Sequence, residues 1–410
     1  MKLPDVYLFN PTCEMAIANG TVSWQPNRLL QQMETDLGNL PQFFVAGTDV
    51  VLVKRRPGKA FTDTLAAAGF PIPEFRQVTE ALANQEFLQR PLNRLLPWGW
   101  SPATHHLLGP LKKQCSETFR TSPVFSWQPS FKKLTSRETA AEWLQEIVTT
   151  AHNDCFLPSG QLPEICASVE EIEQLGQRWG KLMVKAPWSS SGRGLQPVTR
   201  FPVHPSVAQR IRGLLREQQL VIAEPLLNKV ADLGLIFQIS PEKTAFTGFS
   251  HFLTNERGQY AGNYLNGHPP GGSAELSVFL EEMKEKLPPL LLQIIDRKQV
   301  ARQFTGPLGI DTLIFRDQNG KLKINPCLEI NWRFTMGAVA QQLEKRVSPG
   351  LPAIFRTYHQ PGNHFATFVR EQQQKFPPVI REGKLTSGFL PLTEPHPEAQ
   401  FGAYLFAGIH

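Results

Sequence analysis

The stretch that most constrains this chain runs from Gly309 to Gly337, GIDTLIFRDQNGKLKINPCLEINWRFTMG. From Leu322 the even positions are Leu322, Ile324, Pro326, Leu328, Ile330, Trp332 and Phe334. The odd positions are Lys321, Lys323, Asn325, Cys327, Glu329, Asn331 and Arg333. Alternation of this kind predicts a strand with one packed face and one polar face. Ile310 to Arg316 reads as its partner strand, and Asp317-Gln318-Asn319-Gly320 as the turn. A loop of Gln318, Asn319 and Gly320, with the glycine at positive φ, gives a bulged hairpin. That register pairs Asp317 with Lys321 and sets Asp311 opposite Cys327, on the face of Glu329, Asn331 and Arg333. A plain Asn-Gly turn would put Asp311 on the other face.

The polar row has a composition that a solvated strand face seldom shows. A carboxylate, an amide and a guanidinium follow one another at about 7 Å spacing, with Asp311 on the neighbouring strand. Two carboxylates and an amide oxygen form a hard-oxygen set suited to Mg²⁺, which keeps waters and takes further ligands from phosphates. Arg333 then serves as a fork for phosphate or developing negative charge. The plain alternative is an amphipathic edge strand.

The chain has 410 residues, enough for two or three domains. Its 41% hydrophobic and 19% charged residues describe an ordinary globular protein. Apolar runs are too short to span a bilayer, and the start MKLPDVYLFN lacks a signal-peptide layout. A net charge of +6 suits a mildly basic surface that attracts anionic nucleotides, while no basic tract or zinc-finger spacing points to nucleic acid. Cys13, Cys115, Cys155, Cys166 and Cys327 include no C-x-x-C pair, which predicts reduced thiols and a cytoplasmic protein.

In chain order, Val6 to Phe9 reads as a first strand, with Asn10 as N-cap and Pro11 opening a helix through Ala18. This places Asn10, Thr12 and Glu14 at the carboxyl end of a sheet, where α/β domains bind ligands; for Glu14 a favourable helix-dipole charge is the plainer role. A helix over 27–37, a strand over 50–54 and a short helix over 62–68 continue a β-α-β-α rhythm. Residues 91–130 give no clear pattern, and His105-His106 reads as structural. Thr135-Ser136-Arg137-Glu138 is a capping box opening a helix through Glu146, with Arg137 opposing the helix dipole. A second helix covers 168–179.

The strand Lys181–Lys185 then runs into Ala-Pro-Trp-Ser-Ser-Ser-Gly-Arg-Gly-Leu195. Serine hydroxyls and backbone N–H groups of such a loop can wrap phosphates, with Lys185 and Arg193 as cations. It is no Walker loop, and a flexible linker can look alike. After a helix over 206–218 comes Leu220 to Leu227, an apolar strand whose Glu224-Pro225 should take the chain out of regular pairing and free backbone groups for a heterocycle. Asp232 begins the next strand, to Ser240, and 244–252 another. Residues 266–273 suit a substrate lid or a linker. Helices over 274–304 should break at Pro288-Pro289, and 338–346 should be helical. Residues 351–410 read as a Pro-rich tail with short strands, packed on the body.

Taken together, VKAPWSSSGRGL (184–195), IAEPLL (222–227) and GIDTLIF…CLEINWRFTMG (309–337) resemble the ATP-grasp superfamily, in the order that family uses. The resemblance covers roughly residues 125–345. It implies a mixed α/β (α+β) ATP-grasp fold behind an N-terminal open α/β domain, divided as 1–124, 125–220, 221–350 and a C-terminal extension 351–410. It implies that Lys185, Ser189, Ser190, Ser191, Gly192, Arg193 and Gly194 hold the phosphates of ATP. Glu224, Pro225, Leu226 and Leu227 would form the adenine hinge, with Asp232 beside the nucleotide. Asp311, Glu329 and Asn331 would bind Mg²⁺ or Mn²⁺, and Arg333 with Lys185 would be catalytic. Where the family carries a further lysine near an earlier helix start, this chain offers Arg137, with Lys133 as competitor.

The implied chemistry is attack of a carboxylate on the γ-phosphate of MgATP and opening of the acyl phosphate by an amine, in a carboxylate–amine ligase. Such a reaction needs charge neutralisation more than a protein nucleophile. Small-molecule or peptide acids and amines are the expected partners, without nucleic acid or membrane, and a homodimer is compatible with them. A kinase on the same nucleotide site, and a nucleotide-binding module without turnover, are the rival readings.

Overall fold

The computed structural model describes residues 2–151, 153–189, 194–255, 259–267, 273–362 and 364–408. Among them the strands form three sheets. The first holds Val6–Leu8 (β1), Val50–Val53 (β2), Glu74–Gln77 (β3) and Leu95–Pro97 (β4), all parallel, in the order β3-β2-β1-β4. Its central strands are buried apolar runs, as a sheet covered on both faces requires. The open α/β reading of the N-terminal region therefore holds. One detail differs: the first helix is Cys13–Asn19, with Thr12 rather than Asn10 at its N-cap position. The Asn10 amide is already engaged, donating to the Gly99 carbonyl at 2.8 Å and to Thr104 Oγ1 at 2.9 Å.

The second sheet holds Glu164–Cys166 (β5), Leu182–Lys185 (β6), Leu195–Val198 (β7) and Val221–Pro225 (β8), in the order β5-β8-β6-β7. Helices Val169–Trp179 and Pro205–Gln218 cover it with a small core of its own around Ile172, Val184, Ile211 and Val221. Pairing does not lapse at Glu224-Pro225 as expected. Met183 pairs with Glu224 and Leu182 with Pro225, and the Leu226 amide donates to the Lys181 carbonyl at 2.9 Å. At the end of the strand, Pro225 forfeits only its own donation.

The third sheet has Asn228–Ile239 (β9), Ala245–Thr254 (β10), Tyr260–Leu265 (β11), Gly306–Arg316 (β12), Leu322–Asn331 (β13), Ala353–His359 (β14), Val379–Arg381 (β15), Lys384–Pro391 (β16) and Phe401–Ala407 (β17). Their order is β13-β12-β9-β10-β11-β14-β17-β16-β15, so the strands β14 to β17 continue the sheet of the body. Alternation in β9 is strict: Leu233, Leu235, Phe237 and Ile239 enter the main core, and Asp232 and Gly234 face away. Asp232 thus lies inside a strand rather than beginning one.

Against the core face lie helices Arg137–Ala151 and Ala274–Arg297. The latter is continuous through Pro288 and Pro289 instead of breaking there. Its apolar side, from Leu276 and Leu280 through Met283, Leu287 and Leu291 to Ile295, is buried along its whole length. That burial, about 1.5–3 kcal/mol per large side chain, offsets the backbone bonds the prolines forfeit. Among the described residues no helix is long and apolar enough to cross a membrane.

The hairpin of β12 and β13 departs from the expected register in an informative way. Its turn is the bulged loop: the Asp317 amide donates to the Lys321 carbonyl at 2.9 Å, and Gly320 has φ +77°. Arg316 faces Leu322 and Leu313 faces Asn325, yet Asp311 faces Glu329 rather than Cys327. The pairing slips by two residues across 326–328. Pro326 has no N–H to give the ladder, and Asn325 Oδ1 takes the Cys327 amide at 3.1 Å, so the strand bulges there. Cys327 turns into the core. A two-residue slip preserves the face, so Asp311 and Glu329 stay on one side, now as direct neighbours.

Candidate active site

Lys185 ends β6 two residues after Met183, whose cross-strand partner is Glu224. Side chains alternate, so Lys185 and Glu224 share the face that leaves Leu182 and Val184 to the small core. Their buried ion pair measures 2.5 Å, Nζ to Oε1. Beyond Lys185 the loop is closed at its base, where the Ala186 amide donates to the Gly194 carbonyl at 3.0 Å. Gly194 has φ +84°, and a Cβ there would stand 2.9 Å from that of Ser189, so the turn needs glycine. Ser190, Ser191, Gly192 and Arg193 lie outside the described residues.

Arg137 ties this loop to the hairpin. The helix Arg137–Ala151 starts at it, with Ser136 rather than Thr135 capping: the Glu138 amide donates to Ser136 Oγ at 3.2 Å. Thr135 instead closes the preceding helix, Pro129–Leu134. The Arg137 Nη1 donates to the Ala186 carbonyl at 2.6 Å and to Ser189 Oγ at 2.7 Å, while Nη2 meets Glu329 Oε1 at 2.7 Å. Of the two candidate cations it is Arg137 whose fork lies against Ser189 and Glu329. A fork spans two directions where an ammonium is a point. Arg137→Lys should therefore lower the melting temperature and weaken nucleotide binding by about tenfold or more, equivalent to losing one charge-assisted bond. Scanning calorimetry and titration calorimetry read the two effects, and unchanged values in both would refute the bridging role.

On the hairpin, Asn331 Nδ2 donates to Asp311 Oδ2 at 3.0 Å, and the Asp311 side chain lies over Gly234. Burial, and then the facing Glu329 charge, push the Asp311 carboxyl up to about 7. Two carboxylates face to face with an amide beside them form a donor set that a divalent cation would relieve. Among the described residues no group of three His, Cys, Asp or Glu side chains gathers for a metal. Asp232 stands opposite Leu313 on the same face, but Lys229 holds its carboxylate at 2.6 Å and Thr254 Oγ1 donates to it at 3.2 Å. Of residues 224–227, Pro225 is buried and Leu226 is exposed.

Arg333 follows the hairpin and meets a residue from the opposite end of the chain. Its Nε donates to Glu14 Oε1 at 2.9 Å and its Nη1 to the Phe334 carbonyl at 3.1 Å. The buried carboxylate holds the guanidinium firmly in its charged form, while burial pushes Glu14 upward against the pull of Arg333. Glu14 is the residue the sequence underrates, because its partner is 319 positions away and leaves no local signal. Its place at the carboxyl end of the first sheet was the hint available. His105 is structural, as read: it stacks on Trp100 at 4.3 Å, accepts from Lys112, and is pushed down to about 3 by burial and that lysine.

No family model matches the chain, and no curated protein does either. Solved structures do. The biotin carboxylase of Campylobacter jejuni, in complex with a nucleotide, is 12% identical with a TM-score of 0.52, over 99% of this chain and 87% of that one. An N5-carboxyaminoimidazole ribonucleotide synthetase in complex with ADP is 10% identical with a TM-score of 0.50, over 99% of this chain and 93% of that one. At such identity it is the path of the backbone that is alike. With a parallel sheet leading, a small sheet carrying the Ser/Gly loop and a large sheet carrying the acidic hairpin, the protein has the ATP-grasp fold.

Proposed function

We propose that this chain is an ATP-dependent ligase that joins a carboxylate to an amine through an acyl phosphate. The observation that carries the reading is the reach of Arg137, one side chain touching both Ser189 of the loop and Glu329 of the hairpin. A triphosphate lying between loop and hairpin meets Lys185, Arg137 and Ser189 on one side and the Asp311–Glu329–Asn331 set on the other. The two solved neighbours, by their own descriptions, were crystallised with adenine nucleotides, which favours ATP here.

In this reading Lys185, Arg137 and Ser189 bind and orient the phosphates, and residues 224–227 border the base. Asp311, Glu329 and Asn331 would hold Mg²⁺ or Mn²⁺, which when bound supplies charge neutralisation on the phosphate oxygens. A substrate carboxylate oxygen attacks the γ-phosphorus, the bond to the bridging oxygen breaks, and ADP leaves. Arg333 balances the charge on the transferred group. The amine nitrogen then attacks the acyl carbon, inorganic phosphate leaves with the bonding pair, and the amine gives up a proton. No protein nucleophile is required, and the Cys13 and Cys166 thiols would be poor ones, since burial pushes both up to about 12.

The test is a screen of carboxylic acids crossed with amines, with MgATP, following ADP release and detecting joined product by mass. Release that needs both partners supports the ligase. Release with one acceptor and a stable phosphorylated product assigns a kinase instead. Nucleotide binding with no ADP from any pair overturns turnover.

A further inference from the structure

The pair of Glu14 and Arg333 is more than a tie between distant parts of the chain. Glu14 sits in the first turn of the helix that follows β1, and both side chains are largely buried, at 11% and 15% exposure. The Arg333 fork is held at Nε by Glu14 and at Nη1 by the Phe334 carbonyl, and Nη2 has no hydrogen-bond partner among the described residues. Behind it, Gly99 approaches so closely that a Cβ would stand 3.2 Å from Arg333 Cβ and 2.4 Å from Cys13 Sγ. The N-terminal unit therefore clamps this arginine from two elements, the first helix and the segment after β4.

Two features set the clamp apart from a contact kept for stability. Glu14 Oε2 is buried with no hydrogen-bond partner among the described residues, a cost that a purely structural pair has no reason to carry. A buried ion pair is also a poor stabiliser beside an apolar pair of equal volume. What it does supply is orientation: a single carboxylate oxygen on Nε keeps the guanidinium charged and leaves Nη2 without a partner among the described residues.

We propose that Glu14 is a positioning residue for Arg333, holding its guanidinium by Nε so that the Nη2 edge is available to the transferring phosphoryl group. The N-terminal unit thereby completes an active site whose other groups come from the strand and loop at Lys185 and Ser189, the helix start at Arg137 and the β12–β13 hairpin. This assignment rests on the ligase reading through Arg333, and the experiment below separates the two. Glu14 itself touches neither nucleotide nor acceptor and does not exchange a proton with them.

The probe is MgADP with and without aluminium fluoride, which mimics the transferring phosphoryl group, titrated into the full chain. The parent protein is expected to bind the fluoride complex at least tenfold tighter than MgADP alone. In Glu14→Gln that gain should fall to below threefold, with MgADP affinity within twofold of the parent. Glu14→Asp keeps the charge one methylene further from Nε and should retain part of the gain. Should Glu14→Gln melt below the assay temperature, Glu14→Asp carries the test by its reduced gain at unchanged MgADP affinity. A parent that shows no gain from fluoride overturns the phosphoryl-transfer reading and this assignment with it. A parent that gains, beside Glu14 variants that gain equally, overturns the positioning role alone.

Discussion

Glu329→Gln should cost about 10²–10³-fold in ATP-dependent turnover, the size of effect seen when one preorganised electrostatic group is removed from a reacting centre. The substitution keeps the side chain's length and shape, so what changes is charge. Glu329 faces Asp311 across the hairpin and takes Arg137 Nη2 at 2.7 Å. Removing its charge relieves Asp311 of a like-charged neighbour while Arg137 loses its ionic partner, and Arg137 keeps the Ala186 carbonyl and Ser189 Oγ. The two changes oppose, so stability should move by only about 1 kcal/mol. The Mg²⁺ concentration for half-maximal turnover should rise by about tenfold or more. Steady-state ADP release across a magnesium titration, with a melting curve beside it, reads all three. Turnover near that of the parent would remove Glu329 from the metal set.

Lys185→Met should separate binding from folding. The Lys185–Glu224 pair is buried on both sides, and removing one member leaves the other charge unpaired. That costs about 3–5 kcal/mol by the general behaviour of broken buried pairs. Nucleotide affinity should fall at least about tenfold for one lost charge-assisted phosphate contact. The companion Lys185→Met/Glu224→Gln removes the stranded carboxylate and should recover most of the stability while binding stays weak. Chemical denaturation and nucleotide titration give the two numbers independently. A double variant that regains full affinity would take the phosphate role away from Lys185.

Parts of this architecture were legible because they are written locally. The period-two run of β13, the bulged turn at Gly320, the capped helix starting after Ser168 and the strand ending at Lys185 all follow from neighbours a few residues apart. Two of the misreadings come from a local signal outweighed by packing or by a distant partner. Pro288 and Pro289 did not break their helix because its apolar side is buried along its length. Asn10 did not cap because Gly99 and Thr104 occupy its amide.

By itself the sequence determined that Asp311, Glu329 and Asn331 share one face of the hairpin and that a Ser/Gly loop follows a strand ending in lysine, while Cys327, read on that same face, turns into the core. Side-chain alternation and turn chemistry are short-range and survive any tertiary arrangement. Only the tertiary structure decided that Asp311 stands against Glu329, that Arg137 spans loop and hairpin, and that Glu14 clasps Arg333. Those contacts join segments 18 to 319 residues apart, and the free energy that selects them comes from burying three sheets against their helices, which no local pattern records.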